Sequence, residues 1–444
     1  MKRAFPHPLV IMLAFVILAT ILTYLIPAGA YQRNLDEATG REVVVAGSYE
    51  VKERQPVGLG KMLLSIPEGI IDGAEVVVLI LIIGGAFYVV DKTGAFQAGL
   101  EVLIGQFKNT KGYLLAIIGV LFATAGALNG LQEEIVAMIP MLMVLSQRIG
   151  YTKLAGVSIS LGCAVLGGAF GPTNPFSVII AQKIAEVPVF SGGSFRLIFL
   201  CIALAFWILY VIKNGKDSTV PQPETSELKG KISLAHRICL LLVGLTFAVM
   251  IYGLTYRGWD YNEMSAIFFA MGITIGIIGG LGINGTAKAY SEGFSELIFA
   301  GIIVGLARSI YLVLEDGSII DTIIYALFQP LDKLPLALSA LGTMVSQALL
   351  HIPVPSTSGQ AVLTMPLLSP LADLIGLSRQ VVVLAYQYGA GLMDLITPSN
   401  GALMAILATA GISYKDWIKF IWKPILVVFL IAAVSVISGV IFLK

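Results

Sequence analysis

The chain has 444 residues, of which 57% are apolar and 12% are charged, and its mean hydropathy is +0.89. This composition excludes a water-soluble enzyme, because about a quarter of the residues in a soluble domain are charged, and unbroken apolar runs of about 18 residues or more exclude a membrane β-barrel, whose strands alternate. With 28 basic and 27 acidic residues the net charge is +1, and no basic block is present that could bind the phosphates of a nucleic acid.

The first apolar run, residues 8–28, follows Lys2 and Arg3. The run is longer than the ~7–15 apolar residues of a signal peptide, so we predict an uncleaved membrane span. The two basic residues favour a cytoplasmic N-terminus by the positive-inside rule. We therefore expect a multi-pass membrane protein.

Hydropathy predicts eleven candidate spans along the chain. They cover 8–28, 75–92, 112–128, 152–187, 193–213, 234–256, 262–283, 296–314, 335–352, 379–412 and 416–443. The polar stretch 29–58 is predicted to be an aqueous loop. Segments 94–110 and 317–329 mix charged and apolar residues, so they are predicted to be interfacial helices.

A polar, proline-containing stretch at 214–233 is predicted to be a linker between two halves, 1–213 and 234–444. In secondary transporters such halves usually have inverted topology, and the substrate binds near the midplane where they meet. Inversion requires an odd number of crossings between corresponding points of the two halves. Six candidate spans lie between the two hairpins described below, so the crossing number stays open at this stage.

The two halves contain an internal repeat without gaps. A shift of 226 positions aligns Pro172 with Pro398 and Asn174 with Asn400. The same shift aligns a further proline and a Gly-x-(Thr/Ser)-(Lys/Arg) turn in each copy. Prolines, asparagines and turns match by chance far less readily than Leu, Ile and Val, so the halves are predicted to share ancestry.

Each copy begins with a polar tip that leads into an apolar arm, at 128–150 and at 354–376. Neither arm after its tip is long enough to span comfortably, and both contain proline. We therefore predict two re-entrant helical hairpins. Such backbone is tolerated at membrane depth only where it faces protein or water, so the tips are predicted to face a cavity.

Each hairpin is followed by a span that is interrupted at its centre, by GPTNP at 171–175 (the first break) and by TPSNG at 397–401 (the second break). The residues that break the helices are Gly171, Pro172, Pro175, Thr397, Pro398 and Gly401. Half-helix N-termini favour anions, and unwound carbonyls with Asn, Ser and Thr oxygens suit a hard cation such as sodium. One break alone could be a simple kink, but two matching breaks after polar hairpins favour an ion site in each repeat.

Three acids occur in one copy only: Glu133 and Glu134 at the first tip, and Asp394 before the second break. Intramembrane acids indicate a functional site by default, although an acid at a hairpin mouth can simply face water. The neighbouring segments contain no Lys or Arg, so the cavity is predicted to suit a cationic or zwitterionic solute, protons or metal cations better than a dianion. Arg308, well inside a span, could pair with a core acid, bind a substrate carboxylate or reach the interface.

The tip LNGLQEE, the motifs GGAFGPTNP and TPSNG, and the stretch PVPSTSGQAVLTMPLLSPLADLIG resemble the YfcC branch of the C4-dicarboxylate anaerobic carrier (DcuC-like) family, within the ion transporter superfamily. The resemblance covers nearly the whole chain. It implies an elevator transporter with a dimerising scaffold domain and a transport domain that carries both hairpins and both broken helices. Members of the branch are described as C4-dicarboxylate carriers and as basic amino-acid antiporters, including arginine/ornithine exchangers.

The resemblance also implies a set of ion and substrate positions at the tips and breaks. These are Asn129, Gln132, Glu133, Thr173, Asn174, Ser356, Thr357, Ser358, Ser399 and Asn400, to which the isolated acids add Glu134 and Asp394. The first tip departs from the Ser-Asn-Thr pattern of the sodium symporters. Sodium at the first site therefore stays open.

Together these observations predict an all-α polytopic membrane protein with two inverted repeats. The predicted function is a secondary active antiporter of small carboxylate-bearing solutes in the bacterial inner membrane, with basic amino acids such as arginine and ornithine preferred. The alternative is an ion-coupled C4-dicarboxylate transporter, and an intramembrane enzyme or a channel is less favoured. No HExxH or GxSxG motif supports an enzyme. Scattered histidines and cysteines argue against a metal cluster, and no cofactor is expected beyond Na⁺ or H⁺ as the coupling ion. The expected partners are a small-molecule substrate, the lipid bilayer and a second copy in a homodimer, with no nucleic acid.

Overall fold

A computed structural model describes residues 7–36, 41–106, 110–217 and 233–443, and within these ranges the chain is mostly helical. Nine of the described helical segments are long and apolar enough to cross a membrane. They are Pro8–Leu25, Ala74–Lys92, Lys111–Leu128, Lys153–Ile184, Gly193–Asn214, Leu234–Leu254, Tyr261–Ile278, Gly282–Asp316 and Tyr414–Phe442. The prediction of a multi-pass helical membrane protein is confirmed.

The described helices are numbered in chain order. They are α1 (Pro8–Leu25), α2 (Leu59–Asp72), α3 (Ala74–Lys92), α4 (Ala95–Gln106), α5 (Lys111–Asn129), α6 (Glu133–Arg148), α7 (Lys153–Val157), α8 (Cys163–Phe170), α9 (Ile180–Ile184), α10 (Gly193–Asn214), α11 (Leu234–Tyr256), α12 (Tyr261–Ile278), α13 (Gly282–Asp316), α14 (Ile320–Phe328), α15 (Leu336–Leu350), α16 (Thr357–Ile375), α17 (Arg379–Met393), α18 (Gly401–Ala410) and α19 (Tyr414–Phe442). Two π-helical stretches, Ser158–Gly162 and Pro175–Ile179, join α7 to α8 and lead into α9, and a 3₁₀ turn covers Leu331–Lys333.

Two predicted spans have clearly different bounds in the structure. The span predicted at 296–314 is part of the 35-residue helix α13. The one at 335–352 is the 15-residue helix α15, which is shorter than a typical span. The two spans predicted to be interrupted, 152–187 and 379–412, are divided at their breaks, the second into α17 and α18. The predicted interfacial segments contain α4 and α14.

The polar stretch 29–58 contains four short strands, β1 (Gly29–Ala30), β2 (Arg33–Asp36), β3 (Arg41–Val44) and β4 (Glu50–Val51). They form two antiparallel pairs, β1 with β4 and β2 with β3. Helix α2, which follows, was not predicted from hydropathy. Most of the predicted linker 214–233 lies outside the described residues. Helix α10 ends at Asn214 and α11 begins at Leu234.

The first break follows from the local sequence. Helix α8 ends at Phe170, and Gly171 is extended, as expected for the residue before Pro172. The helix resumes at Pro175, where proline tolerates the first helical position. The Asn174 side chain caps the new helix by accepting a hydrogen bond from the Phe176 amide over 2.9 Å.

The second break has the same construction. Helix α17 ends at Met393, and Thr397 and Pro398 prevent it from continuing. Asn400 then caps α18, because its Oδ1 accepts a hydrogen bond from the Leu403 amide over 2.8 Å. Each aligned asparagine therefore begins the second half of its broken helix.

Glycines allow α5 to lie directly against α8, the part of the first broken helix that precedes the break. A β-carbon at Gly126 of α5 would overlap the backbone carbonyl of Ala164, and one at Gly167 of α8 would overlap the carbonyl of Ala123. The two helices thus touch backbone to backbone. This contact holds the first tip beside the first break.

The two broken helices lie antiparallel, with the start of each beside the end of the other. Lys153, at the start of α7, donates from Nζ to the carbonyl oxygen of Ala410 at the end of α18 over 3.1 Å. Arg379, at the start of α17, donates to the carbonyl oxygen of Ala185 over 3.0 Å and to Glu186 over 2.8 Å. Cations are favourable at helix C-termini, so both contacts stabilise the same antiparallel arrangement.

Candidate functional site

A cavity of about 380 Å³ lies where the two tips meet the two breaks. Nine of the twelve predicted substrate or ion positions line it: Gln132, Glu133, Glu134, Asn174, Ser356, Thr357, Ser358, Asp394 and Asn400. The break residue Gly401 also lines it. The structure therefore brings together residues from both halves of the chain.

Three predicted positions are not part of this lining. The Thr173 hydroxyl donates to the carbonyl oxygen of Ala127 over 2.7 Å, and the Ser399 hydroxyl donates to that of Ile352 over 2.5 Å. These contacts fix the first break against the end of α5 and the second break against the turn after α15. The side chain of Asn129 lies outside the described part of the structure.

The Asp394 carboxylate contacts three other polar side chains of the site. Its Oδ2 accepts a hydrogen bond from Gln132 Nε2 over 2.8 Å. Its Oδ1 accepts from Asn400 Nδ2 over 2.6 Å and faces His351 Nε2 at 2.8 Å. A buried carboxylate is costly unless it is hydrogen-bonded and paired. Asp394 meets this requirement by joining the first tip, the second break and the loop before the second tip.

A chain of buried polar groups continues behind Asp394. His351 Nδ1 lies 2.9 Å from Gln360 Oε1, and Gln360 Nε2 donates to the Gln347 backbone carbonyl over 2.7 Å. Sequence reasoning treated His351 as an isolated histidine and did not predict this chain. The sequence does not show which residues contact His351, because its partners are brought to it only by the fold.

The amide groups of the two break asparagines are largely committed to the backbone. Asn174 uses Oδ1 to cap the following helix and donates from Nδ2 to the carbonyl oxygen of Gly126 over 3.1 Å. Asn400 uses Oδ1 in the same way and donates to Asp394. Both asparagines therefore shape the breaks, and their side-chain oxygens are directed at backbone amides.

Gln387 of α17 ties the second broken helix to the first break. Its Nε2 donates to the carbonyl oxygens of Gly171 over 2.6 Å and Gly168 over 3.1 Å. Its Oε1 accepts from the buried Arg196 guanidinium over 2.9 Å. Carbonyls freed by a helix break must find donors when they are buried. Gln387 supplies one from the second broken helix, and neither Gln387 nor Arg196 was predicted.

The first-tip acids lie at the N-terminus of α6, where negative charge is favourable. Glu134 is buried, and its Oε2 accepts a hydrogen bond from the Gln132 amide over 3.3 Å. Both Glu133 and Glu134 line the cavity. Two further acids, Asp72 at the end of α2 and Glu75 at the start of α3, also line it and were not predicted.

The expectation of a cavity without a cationic side chain is wrong, because Arg308 of α13 lines it. Arg308 lies 46 positions before the second tip in the sequence, so its place in the cavity could not be read from the motifs. The packing of α13 against α18 and α2 brings it there. Arg308 forms an ion pair with Asp72, and its guanidinium lies 5.2 Å from the Tyr311 ring centre. Among the described lining residues, five acids therefore face one arginine.

Two solved structures resemble the chain in outline. The YdaH transporter of Alcanivorax borkumensis aligns with a TM-score of 0.47 and 16% identity, covering 98% of this chain and 99% of that one. MtrF of Neisseria gonorrhoeae, described in connection with a class of antimetabolite efflux pumps, aligns with a TM-score of 0.45 and 17% identity, covering 99% of this chain and 96% of that one.

Curated relatives match the chain end to end. An uncharacterised protein of Haemophilus influenzae is 30% identical, over 98% of this chain and 97% of its own length. A protein of Escherichia coli K12, named as the candidate basic amino acid antiporter YfcC, is 31% identical, over 99% of this chain and 97% of its own length. The family model described as "C4-dicarboxylate anaerobic carrier" matches residues 5–441. The chain is a multi-pass transporter of the bacterial inner membrane and belongs to the C4-dicarboxylate anaerobic carrier family.

Proposed function

We propose that the protein is a secondary active antiporter of small carboxylate-bearing solutes, with basic amino acids such as arginine and ornithine preferred. The observation that carries this proposal is the charge of the cavity, where five acids face one arginine. The curated name of the Escherichia coli relative agrees with this substrate class.

The pairing of the charged groups in the cavity favours a cationic solute further. The Arg308 charge is balanced by Asp72, and Asp394 contacts His351. Glu75, Glu133 and Glu134 then remain in the described lining without a cationic partner. Excess negative charge in a low-dielectric cavity attracts cations and repels dianions. A solute with a net positive charge therefore fits better than a dicarboxylate.

The carboxylate of such a solute has donors available elsewhere in the cavity lining. The second tip presents Ser356, Thr357 and Ser358 at the N-terminus of α16, and helix N-termini favour anions. Arg308 is a second candidate partner. We propose that the carboxylate binds between these groups while the side-chain cation binds at the first-tip acids.

We propose that the halves 1–213 and 234–444 are inverted repeats. The bounds of α5, α6, the first broken helix and α10 correspond to those of α15, α16, the second broken helix and α19 at a shift close to 226. If α15 is the first arm of the second hairpin, as α5 is of the first, five crossings separate the hairpins. This odd number is what inversion requires, and the antiparallel broken helices support it.

We also propose an elevator mechanism. Both hairpins and both broken helices would move as a transport domain against a scaffold that includes α3, α12 and α13. Helix α11 is the least buried span, with 11% of its apolar window inside the protein, and α11 is our candidate for the contact of a homodimer. The stretch 214–233 would link the two repeats.

The alternative function is ion-coupled C4-dicarboxylate transport, and Arg308 is the observation that favours it. Its guanidinium could bind one carboxylate while the second tip binds the other. This alternative predicts that Arg308 leaves Asp72 when the solute enters.

Uptake of labelled arginine or ornithine into proteoliposomes tests the proposal. We expect saturable uptake that Glu133→Gln and Asp394→Asn both abolish, whereas Glu50→Gln, on exposed β4, serves as the control and retains uptake. Size-exclusion chromatography verifies that each variant is folded. Robust succinate or fumarate transport without amino-acid transport would establish the alternative instead.

A further inference from the structure

We propose that the buried His351–Asp394 pair is a proton-binding site, and that its proton is exchanged for a cationic solute in the cavity. The exchange with solute rests on the proposed function. The proton on the pair rests on the geometry of the hydrogen bonds alone. The starting observation is the 2.8 Å contact between His351 Nε2 and Asp394 Oδ1, with the His351 side chain fully buried.

The first step concerns the far nitrogen of the ring. Gln360 Nε2 lies 2.7 Å from the backbone carbonyl of Gln347, which can only accept, so the amide end of Gln360 must point there. Gln360 Oε1 therefore faces His351 Nδ1 at 2.9 Å. Two acceptors cannot share such a contact, so Nδ1 carries hydrogen. A flipped amide would place two oxygens together and is excluded.

The second step concerns the carboxylate. Asn400 Oδ1 accepts from the Leu403 backbone amide, which can only donate, so Asn400 Nδ2 must point at Asp394. Gln132 Nε2 contributes a second donor. A carboxyl group that accepts from two amides is best satisfied as a carboxylate. The remaining contact with His351 then requires hydrogen on Nε2, so the solute-free pair is an imidazolium next to a carboxylate.

The third step is the route of the proton. Asp394 lines the cavity, whereas His351 does not. The Nε2–H bond breaks as an O–H bond forms at Oδ1, and the proton then passes from Asp394 to water in the cavity. The neutral ring keeps its Nδ1 hydrogen and its contact with Gln360. The net charge of the pair changes from zero to −1. The Nε2 lone pair then faces the Asp394 carboxylate, and the repulsion between them favours movement of the carboxylate toward the cavity.

That change couples the proton to the solute. A free Asp394 carboxylate adds negative charge on the side of the cavity where a cation would bind, so the proton and the cationic solute compete for one negative charge. The titratable or charged groups in the described cavity lining, apart from the pair itself, are Asp72, Glu75, Glu133, Glu134, Tyr261, Arg308 and Tyr311. On its other side the ring faces the neutral amide of Gln360 in α16, which in turn contacts the Gln347 carbonyl of α15.

Nitrogen-15 NMR of histidine-labelled, full-length protein in nanodiscs tests the protonated pair. The sequence has only three histidines, His7, His236 and His351, and His351→Gln identifies the signals of the third. We expect both ring nitrogens of His351 to carry hydrogen in the solute-free protein. A singly protonated ring would overturn the proposal. If His351→Gln does not fold, His7→Gln and His236→Gln assign the signals by elimination.

Calorimetric titration with arginine in buffers of different ionisation enthalpy tests the exchange. We expect wild type to release about one proton for each arginine bound, and the matched control His236→Asn, whose ring lies against the carbonyl of Thr93, to do the same. Binding without proton release overturns the exchange. If arginine does not bind at all, the proposed function fails, and the NMR result still decides whether the pair holds a proton.

Discussion

Gln132 donates a hydrogen bond to Asp394 over 2.8 Å, although 262 positions separate the two residues in the chain. The contact joins the first tip to the residue that follows α17, just before the second break. Both residues line the cavity. The contact therefore links the cavity lining to the relative position of the first tip and the second broken helix.

This contact predicts an energetic coupling between the two residues. Gln132→Leu and Asp394→Asn should each weaken arginine binding, and the double variant should lose less than the sum, with a coupling of about 1–3 kcal/mol. A double-mutant cycle of dissociation constants measures it. Gln329→Leu, at the exposed end of α14, is the control and should be additive with Asp394→Asn. Additivity for Gln132 would mean that the contact contributes nothing to binding.

Gln387 predicts a stability effect. Gln387→Leu removes the donor to the carbonyl oxygens of Gly168 and Gly171 and the acceptor of Arg196. Buried polar groups left without partners cost about 1–3 kcal/mol each. We expect a fall in the thermal unfolding temperature of several degrees, measured by fluorescence of the purified protein, with Gln329→Leu unchanged. An unchanged temperature for Gln387→Leu would show that these carbonyls find other donors.

The close contact between α5 and α8 predicts a steric effect. Gly167→Ala should destabilise the protein, because the added β-carbon overlaps the Ala123 carbonyl in both backbones' present positions. Gly244→Ala in α11 is the matched control, since no atom lies within 4 Å of its added β-carbon, and it should be neutral or slightly stabilising. Thermal unfolding of both variants decides. Equal unfolding temperatures would contradict the close approach.

Arg308 predicts a change in substrate selectivity. If it binds the carboxylate of the solute, Arg308→Gln should weaken arginine binding by about tenfold, a loss of about 1.4 kcal/mol. Agmatine, which lacks the carboxylate, should lose no affinity for the variant. Competition against labelled arginine measures both affinities, with Arg257→Gln, on an exposed loop, as the control. A parallel loss for agmatine would assign Arg308 to general folding of the site.

The proposed inversion predicts the sides on which the two hairpins open. Lys216 lies beside Tyr151 at the outer end of the first hairpin, and Glu186 contacts Arg379 at the outer end of the second. In a Cys201→Ala background, Lys216→Cys and Glu186→Cys should react with an impermeant maleimide from opposite faces of oriented vesicles. Labelling of both positions from one face would contradict inversion.

The sequence predicts the helical membrane class and both breaks because proline, glycine and asparagine act locally. Asn174 and Asn400 sit where their sequences indicate, and each caps the following helix. Hydropathy does not detect α2 because that helix is amphipathic and contains Pro67. It also cannot reveal that Arg308 lines the cavity, because that position depends on how α13 packs.

The partners of Asp394 show the same limit within the site. Its place before the second break and its isolated charge are visible in the sequence. Its contact with His351 crosses 43 positions and depends on the loop between α15 and α16. The repeat cannot supply this contact either, since the aligned residue in the first half is Gly168, which has no side chain to pair.

Counterflow is the most direct test of the central claim, that the protein exchanges basic amino acids. Proteoliposomes loaded with unlabelled ornithine should transiently accumulate external labelled arginine, and external succinate or fumarate should not compete. Empty liposomes and liposomes loaded with succinate should show no accumulation. Counterflow of labelled succinate against internal fumarate, with none for arginine against ornithine, would contradict the account.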